Sequence, residues 1–375
     1  MAKQLKILAT AKQRGSVNAL APVIQELKKR NHQVSIYATG NEAEAVGFNG
    51  LEYQRISPSS EDYTKLIQEN DIVLTGLSGF NTPDGEFLRN SIKLKIPVIT
   101  VADQDINYKT RLGQSLEYFP DLLAVMDKGC IATLKQEFGE QEIEKLQDRI
   151  KVIGWTAFDN YSNLREKFTE KDREKLLQEL KLEARIILHF TQNIHPNSDY
   201  MKLIAKGQKE KKSFFDYETK LTRKVFETAS DLGLRLTIKP HPGERFEINY
   251  TLDLTKKHGF TYLPADSCDT RQLILASDSI TAGTSTCLTE ACLLDKNTGG
   301  LFPDKDEREI KIFPPVALQA IPYTQTWSGI KPTLGIVSSD SGEVKRILAQ
   351  KRKRFSVDGK ASERLVNLIE DFCIS

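Results

Sequence analysis

Short apolar runs that end in glycine, hydroxyl or acidic residues, each followed by a stretch with helical periodicity, recur along the chain and constrain its fold more than any other feature. Lys6-Ile-Leu-Ala-Thr10 reads as a strand that runs through Ala11 to Asn18 into the helical pattern Ala19 to Arg30. Gln33 to Ala38 reads as the next strand and ends at Thr39-Gly40. A third unit follows, with the strand Asp71 to Gly79, a helix near Glu86 to Lys95 and the strand Ile96 to Ala102. Leu122 to Met126 reads as a strand and Ile131 to Phe138 as a helix, and Lys151 to Asp159 closes the first half. Strands that alternate with helices predict a parallel sheet, because each helix carries the chain back to the same edge.

From Asn160 to Arg185 the chain is charged and helical in pattern, with no apolar strand, which places a domain junction there. The second half opens with the strand Arg185 to Thr191, ending at Gln192-Asn-Ile-His195. Pro196 to Phe215 is polar and lysine-rich and reads as a loop or flap, followed by a helix from about Asp216 to Leu232. Phe260 to Leu263, Leu273 to Ile280 and Thr298 to Phe302 supply further strand-and-helix units, and Glu343 to Leu348 and Ser362 to Phe372 read as terminal helices. The expected division is 1–160, 161–350 and a helical tail 351–375 able to pack back on the first domain.

The chain has 375 residues, 39% of them hydrophobic, which suffices for two cores of ordinary size. Its 53 basic and 51 acidic residues leave a net charge of +2, so no nucleic-acid partner is expected. No run of about 18 apolar residues occurs, and the N-terminal residues enter a strand without a signal peptide's apolar core. Five cysteines without a CxxC pair fit reduced thiols, so the expected location is cytoplasmic. The first strand-to-helix loop holds one glycine, Gly15, and no GxGxxG, so neither NAD nor FAD, nor any other cofactor, is expected. The histidines at 32, 189, 195, 241 and 258 are scattered, and Asp103-Gln-Asp105 reads as two separate polar residues, so no metal is expected.

Two stretches concentrate the chemistry. Ser277 to Leu294 reads as the end of a buried strand, a turn on Gly283 and a helix that opens with Thr284, Ser285 and Thr286, with Glu290 further in. Unpaired N–H groups and the dipole at a helix start suit a phosphate, although a hydroxyl cap also starts ordinary helices. Leu236 to Glu244 delivers Lys239 and His241 to a strand's C-terminal end, where open α/β sheets bind ligands.

These patches carry a resemblance. Gly15 to Val23 is similar to the first loop and helix of the non-hydrolysing UDP-GlcNAc 2-epimerases. Val152 to Asp159 resembles the stretch that ends the N-terminal domain of the epimerases and of many glycosyltransferases. Lys239-Pro-His-Pro242 looks like the same element of CDP-glycerol and Kdo transferases, and Gly283-Thr-Ser-Thr286 with Glu290 matches a turn that holds phosphate and a glutamate that contacts ribose. The resemblance implies the GT-B superfamily, an α/β architecture of two Rossmann-like doubly wound domains facing across a cleft. Thr75-Gly-Leu-Ser-Gly79 departs from the epimerases, which carry a His-Gly-Asp type of sequence there, and so lacks an acid their C2 chemistry needs.

The resemblance implies phosphate and nucleotide binding by Lys239, Gly283, Thr284, Ser285, Thr286 and Glu290, with His241 donating to the leaving group. Asp103 and Asp105 are the candidates for the base, with Asp84 and Glu86 behind them. Arg14, Gly15, Gln192 and His195 would line the substrate cleft. The reading is a metal-independent glycosyltransferase that takes a UDP- or CMP/CDP-linked sugar to a sugar, lipid-linked or small-molecule acceptor. The alternatives are a UDP-GlcNAc 2-epimerase, hydrolysing or not, and a non-catalytic GT-B nucleotide-sugar-binding or partner protein. The basic runs at Lys209 to Lys212 and Lys351 to Arg354 suit weak peripheral contact with an anionic membrane, or plain solvation.

Overall fold

The computed structural model describes residues 4–38, 50–55, 60–104, 107–192, 209–241, 250–311, 313–355 and 357–374. The chain forms two compact units, one of residues 1–160 with 357–375 and one of residues 161–356.

In the first unit the strands are β1 (Lys6–Ala11), β2 (Gln33–Ala38), β3 (Gln54–Arg55), β4 (Ile72–Gly76), β5 (Val98–Val101), β6 (Leu122–Val125) and β7 (Ile150–Val152). They form a parallel sheet in the order β3-β2-β1-β4-β5-β6-β7. Both faces are covered, which is why β1 and β4 read as nearly unbroken apolar runs. Side chains alternate between faces along β1. Ile7, Ala9 and Ala11 join Leu20, Ile24 and Leu27 of the helix Arg14–Lys29 on one face. Leu8 joins Tyr63, Phe87 and Leu134 on the other. The helix Ala361–Ile374 completes the first of these faces with Leu365, Val366 and Ile369. Its first amides, those of Ala361 and Ser362, donate to the Asp159 carboxylate at 3.0 and 2.6 Å. Arg364 Nε donates to the Ile153 carbonyl at 2.7 Å, and Glu370 pairs with Arg30 at 2.7 Å. The end of the chain is thus built into the first unit's core.

The second unit has β8 (Ile187–Phe190), β9 (Leu236–Lys239), β10 (Thr261–Tyr262), β11 (Ser279–Ala282), β12 (Asn297–Leu301) and β13 (Tyr323–Thr324). They too are parallel, in the order β10-β9-β8-β11-β12-β13. Ile187, Leu236, Ile238 and Leu301 pack on Leu221, Val225, Phe226 and Ala229 of the helix Lys209–Asp231 and on Ile330 and Leu334. That helix starts earlier than the expected Asp216. Lysine and glutamate are good helix formers, so the charged run at 209–213 extends it upstream into the stretch expected to be loop. The rest of the expected flap, 196–208, lies outside the described residues. Among the described residues no helix is long and apolar enough to cross a membrane.

His189 shows how dry this sheet is. It lies on β8, is 1% exposed, and its Nδ1 sits 3.0 Å from Thr281 Oγ1 on the paired strand β11. Burial pulls its imidazole pKa down to about 4. A base whose folded pKa is depressed binds fewer protons than it does in the unfolded chain. The native state is therefore penalised as pH falls from the ordinary value of 6.5 towards about 4, and the full stability is present above that window. Urea unfolding across that range should show wild type losing on the order of 3 kcal/mol more than His189→Gln. Equal pH slopes for the two proteins would contradict the assignment.

Candidate active site

In a doubly wound parallel sheet, the strand pair at which the order reverses leaves a crevice at its C-terminal edge, because the crossovers on either side leave by opposite faces. In the second unit that pair is β8 and β11, in register from Ile187↔Ser279 to Phe190↔Ala282. The residues beyond it are Thr191-Gln192 on one side and Gly283-Thr284 on the other.

Gly283 passes close over the helix Lys209–Asp231. A Cβ there would lie 3.0 Å from Leu221 Cδ2 and 3.7 Å from Glu218 Oε2. Thr284 Oγ1 donates to Glu218 Oε1 at 3.2 Å, and Glu218 is 2% exposed. The Thr284 hydroxyl is thereby committed to a buried carboxylate. Ser285, also buried, turns the chain with its amide on the Gly283 carbonyl at 2.8 Å. Its hydroxyl accepts from the Cys287 amide at 3.2 Å and so caps the helix Cys287–Leu293. Thr286 occupies the N-cap position with helical dihedrals and makes no side-chain cap. No hydrogen bond among the described residues engages the amides of Thr284 and Thr286. These N–H groups, more than the hydroxyls, are what the turn offers an anion.

Glu290 lies one turn into that helix, half-buried, and its Oε2 accepts from the Tyr161 hydroxyl at 2.7 Å. Burial, and then the charge of Glu290, raise the Tyr161 phenol far above its ordinary pKa, so it stays a donor. Arg271 stands near both, but its guanidinium is engaged by Asp269, Nε to Oδ1 at 3.2 Å and Nη2 to Oδ2 at 2.7 Å.

Lys239 ends β9 and is 2% exposed. Its ammonium donates to the Pro264 carbonyl at 3.0 Å and to Ser267 Oγ at 3.2 Å. Its charge is thus turned onto the loop after β10. His241, two residues on, is half-buried, and Gln192 likewise. His195 lies outside the described residues.

In the first unit the order reverses between β1 and β4. Asp84, 1% exposed at the start of the helix Pro83–Leu94, fastens this end. It accepts from Thr10 Oγ1 at 3.1 Å, from the Lys12 amide at 3.0 Å and from the Ser78 hydroxyl. A carboxylate that accepts from Thr10, Lys12 and Ser78 ties the end of β1 to the residues after β4. Asp103 follows β5 and is held differently. Its Oδ1 pairs with Arg111 Nη1 at 2.6 Å, with 3% and 9% of the two side chains exposed. Its Oδ2 is buried and has no hydrogen-bond partner among the described residues. That oxygen lies against Gly15, where a Cβ would come within 2.1 Å of it. Asp105 and the side chain of Arg14 lie outside the described residues. Among the described residues no group of three or more His, Cys, Asp or Glu side chains is placed to hold a metal.

Sequence reading missed Glu218 and Tyr161. Glu218 precedes Leu221 and Val225 by three and seven residues, so helical periodicity alone puts a carboxylate on a buried stripe. For Tyr161 the only signal is an aromatic at the head of a charged stretch.

No family model and no curated protein matches the sequence. Solved structures do match over nearly the full length. A putative UDP-N-acetylglucosamine 2-epimerase from Listeria monocytogenes superposes with a TM-score of 0.68 at 13% identity, covering 99% of this chain and 97% of that one. The UDP-GlcNAc 2-epimerase of Neisseria meningitidis, solved with UDP-GlcNAc, gives 0.65 at 16% identity, covering 97% and 99%. Acinetobacter baumannii MurG gives 0.59 at 13% identity, covering 98% and 100%. At such identities the likeness establishes the architecture: the chain has the α/β GT-B fold that epimerases and glycosyltransferases share.

The contact of Gly15 with Asp103 is open to test. Gly15→Ala should cost about 1–3 kcal/mol in denaturant unfolding, since its methyl group must displace a carboxylate pinned by Arg111. In an Asp103→Ser background the same change should cost clearly less. Strict additivity would show that the contact is not the source.

Proposed function

We propose that the protein is a metal-independent glycosyltransferase that binds the nucleotide of an activated sugar at the C-terminal end of β8 and β11. The observation that carries this reading is the turn after β11. Two amides that no hydrogen bond among the described residues engages stand at the reversal point of the sheet, and the helix that follows presents a carboxylate. Amides suit the diphosphate and a carboxylate suits the ribose hydroxyls, which are donors. The structures bound to UDP, UDP-GlcNAc or CDP-glycerol among the matching folds support a nucleotide-sugar ligand of this kind.

In the transfer itself, an acceptor hydroxyl oxygen bonds to the anomeric carbon as the bond from that carbon to the phosphate oxygen breaks. The leaving diphosphate takes the electron pair. The amides of Thr284 and Thr286 stabilise its charge, with His241 as the donor nearest in sequence to the end of β9. Asp103 stays the candidate for the base on the sequence pattern, at the end of a strand. Lys239 acts by ordering the 264–268 loop.

An epimerase is the second reading, supported by the epimerases among the matching structures, whose TM-scores run from 0.62 to 0.68 against 0.59 to 0.62 for the glycosyltransferases. Against it stands Thr75-Gly-Leu-Ser-Gly79, which itself contains no acid or histidine. The two differ in one observable. Epimerisation exchanges the sugar's C2 proton with solvent deuterium in the absence of any acceptor, whereas transfer does not.

A thermal-shift screen against UDP, CMP, CDP, GDP and their sugars, with magnesium and with EDTA, tests the site. A ligand present at a thousand times its Kd raises native stability by about 4 kcal/mol. One diphosphate nucleotide should stand out equally in both conditions. Glu290→Gln should weaken it about tenfold or more, while His241→Ala should lower turnover more than binding. Silence from every nucleotide would refute the proposal, and binding without turnover on any acceptor would point to a non-catalytic binding protein.

A further inference from the structure

We propose that Lys296 is a site of covalent acylation by acyl phosphates, in a cavity of about 600 Å³ at the N-terminal edge of the second unit's sheet, with Arg165 receiving the phosphate. This edge is the one opposite the nucleotide site, and the proposal stands independently of it.

Lys296 and Asp278 come immediately before β12 and β11, whose first residues Asn297 and Ser279 are paired. The start of the helix Glu170–Leu180 and Arg165 of the helix Tyr161–Lys167 line the same cavity. The backbone of Lys296 is fixed on both sides. Its amide donates to the Ala291 carbonyl at 2.9 Å, and its carbonyl accepts from Thr298 Oγ1 at 2.8 Å.

The carboxylates of the cavity are spent on other cations. Glu170 pairs with Arg173 Nη1 at 3.1 Å. Asp278 accepts from the Ile186 amide at 2.8 Å and lies 3.5 Å from Arg173 Nη2. Asp295 pairs with Arg352 Nε at 2.8 Å. Two cations are left over, since no hydrogen bond or ion pair among the described residues engages the side chain of Lys296 or of Arg165. Uncompensated cations in one cavity favour an anion, and a guanidinium suits a phosphate in particular. An acyl phosphate joins that anion to an activated carbonyl.

Lys296 is half-buried, and burial holds its ammonium below the ordinary lysine pKa. The charge of Arg173 acts in the same direction, and those of Asp278, Asp295 and Glu170 act against it. More of this side chain is therefore free amine at neutral pH than in a solvated lysine, and the free amine is the nucleophile. In the step, the nitrogen lone pair forms a bond to the carbonyl carbon as the bond from that carbon to the phosphate oxygen breaks. Phosphate leaves with the electron pair, the nitrogen gives up a proton to water, and the lysine becomes a neutral amide.

The test treats the full chain with acetyl phosphate near neutral pH. Unreacted lysines are then blocked with isotopically labelled acetic anhydride under denaturing conditions, and mass spectrometry reads the fraction acetylated at each position. Lys296 should react about fivefold or more faster than the median lysine, and the excess should vanish in chain first unfolded in guanidinium chloride. Arg165 is exposed, so Arg165→Gln should fold normally. It should slow acetylation of Lys296 by acetyl phosphate about threefold or more, while a neutral acetylating ester reacts there as in wild type. A smaller excess at Lys296, an excess that survives unfolding, or an unchanged rate with acetyl phosphate in Arg165→Gln overturns the proposal.

Discussion

The parallel pairing of each sheet governs everything else in this protein. Parallel strands require a crossover between every neighbouring pair, so all strand ends of one kind meet along one edge. At β1/β4 and at β8/β11 the winding changes direction, and no crossover covers that edge. The chemistry-bearing residues of both units gather there: Ser78, Asp84 and Asp103 in the first, Gly283 to Glu290 in the second. Partners distant in sequence help to hold each set, Thr10 on Asp84 in the first and Glu218 on Thr284 in the second. Both exist because the topology leaves these two places open.

A glycine set against a carboxylate recurs at both places. Gly15 lies on Asp103, and Gly283 passes over Glu218. At Gly15 the absent side chain is what lets backbone meet the acid, at Gly283 the tighter neighbour is Leu221, and in each case a charged or polar partner makes the acid's burial tolerable. For Asp103 that partner is Arg111, and for Glu218 it includes Thr284. Burying a carboxylate without such partners would cost several kcal/mol, so these contacts hold each turn in one conformation. One oxygen of Asp103 remains outside this accounting, which is why it stands out among the first unit's acids.

Elements whose residues read the same in any context were legible from sequence. The apolar runs became strands because a strand buried on both faces needs nothing but apolar, often β-branched, residues. Lys95 ends its helix in the left-handed conformation, near the expected boundary. The helix Lys209–Asp231 begins inside a charged stretch that has the composition of a loop, because lysine and glutamate favour helix as readily as solvent. Lys239 looked like a cation for phosphate. Its ammonium instead ties down Pro264 and Ser267, partners 25 and 28 residues away, which no local pattern announces.

The sequence by itself determined the class of fold, the existence of two wound halves and the two stretches where binding chemistry is concentrated. Those depend on periodicity and on turn residues, which are local properties. Only tertiary structure decided which polar groups are spent on the fold and which are left for a ligand. Thr284 is committed to Glu218, Ser285 to the helix cap, Lys239 to a loop and Asp84 to the ends of β1 and β4, while Glu290 is held by Tyr161 from 129 residues away. A hydroxyl or a carboxylate has the same capacity wherever it occurs in a chain. Its availability is settled by what the fold brings to within 3 Å of it.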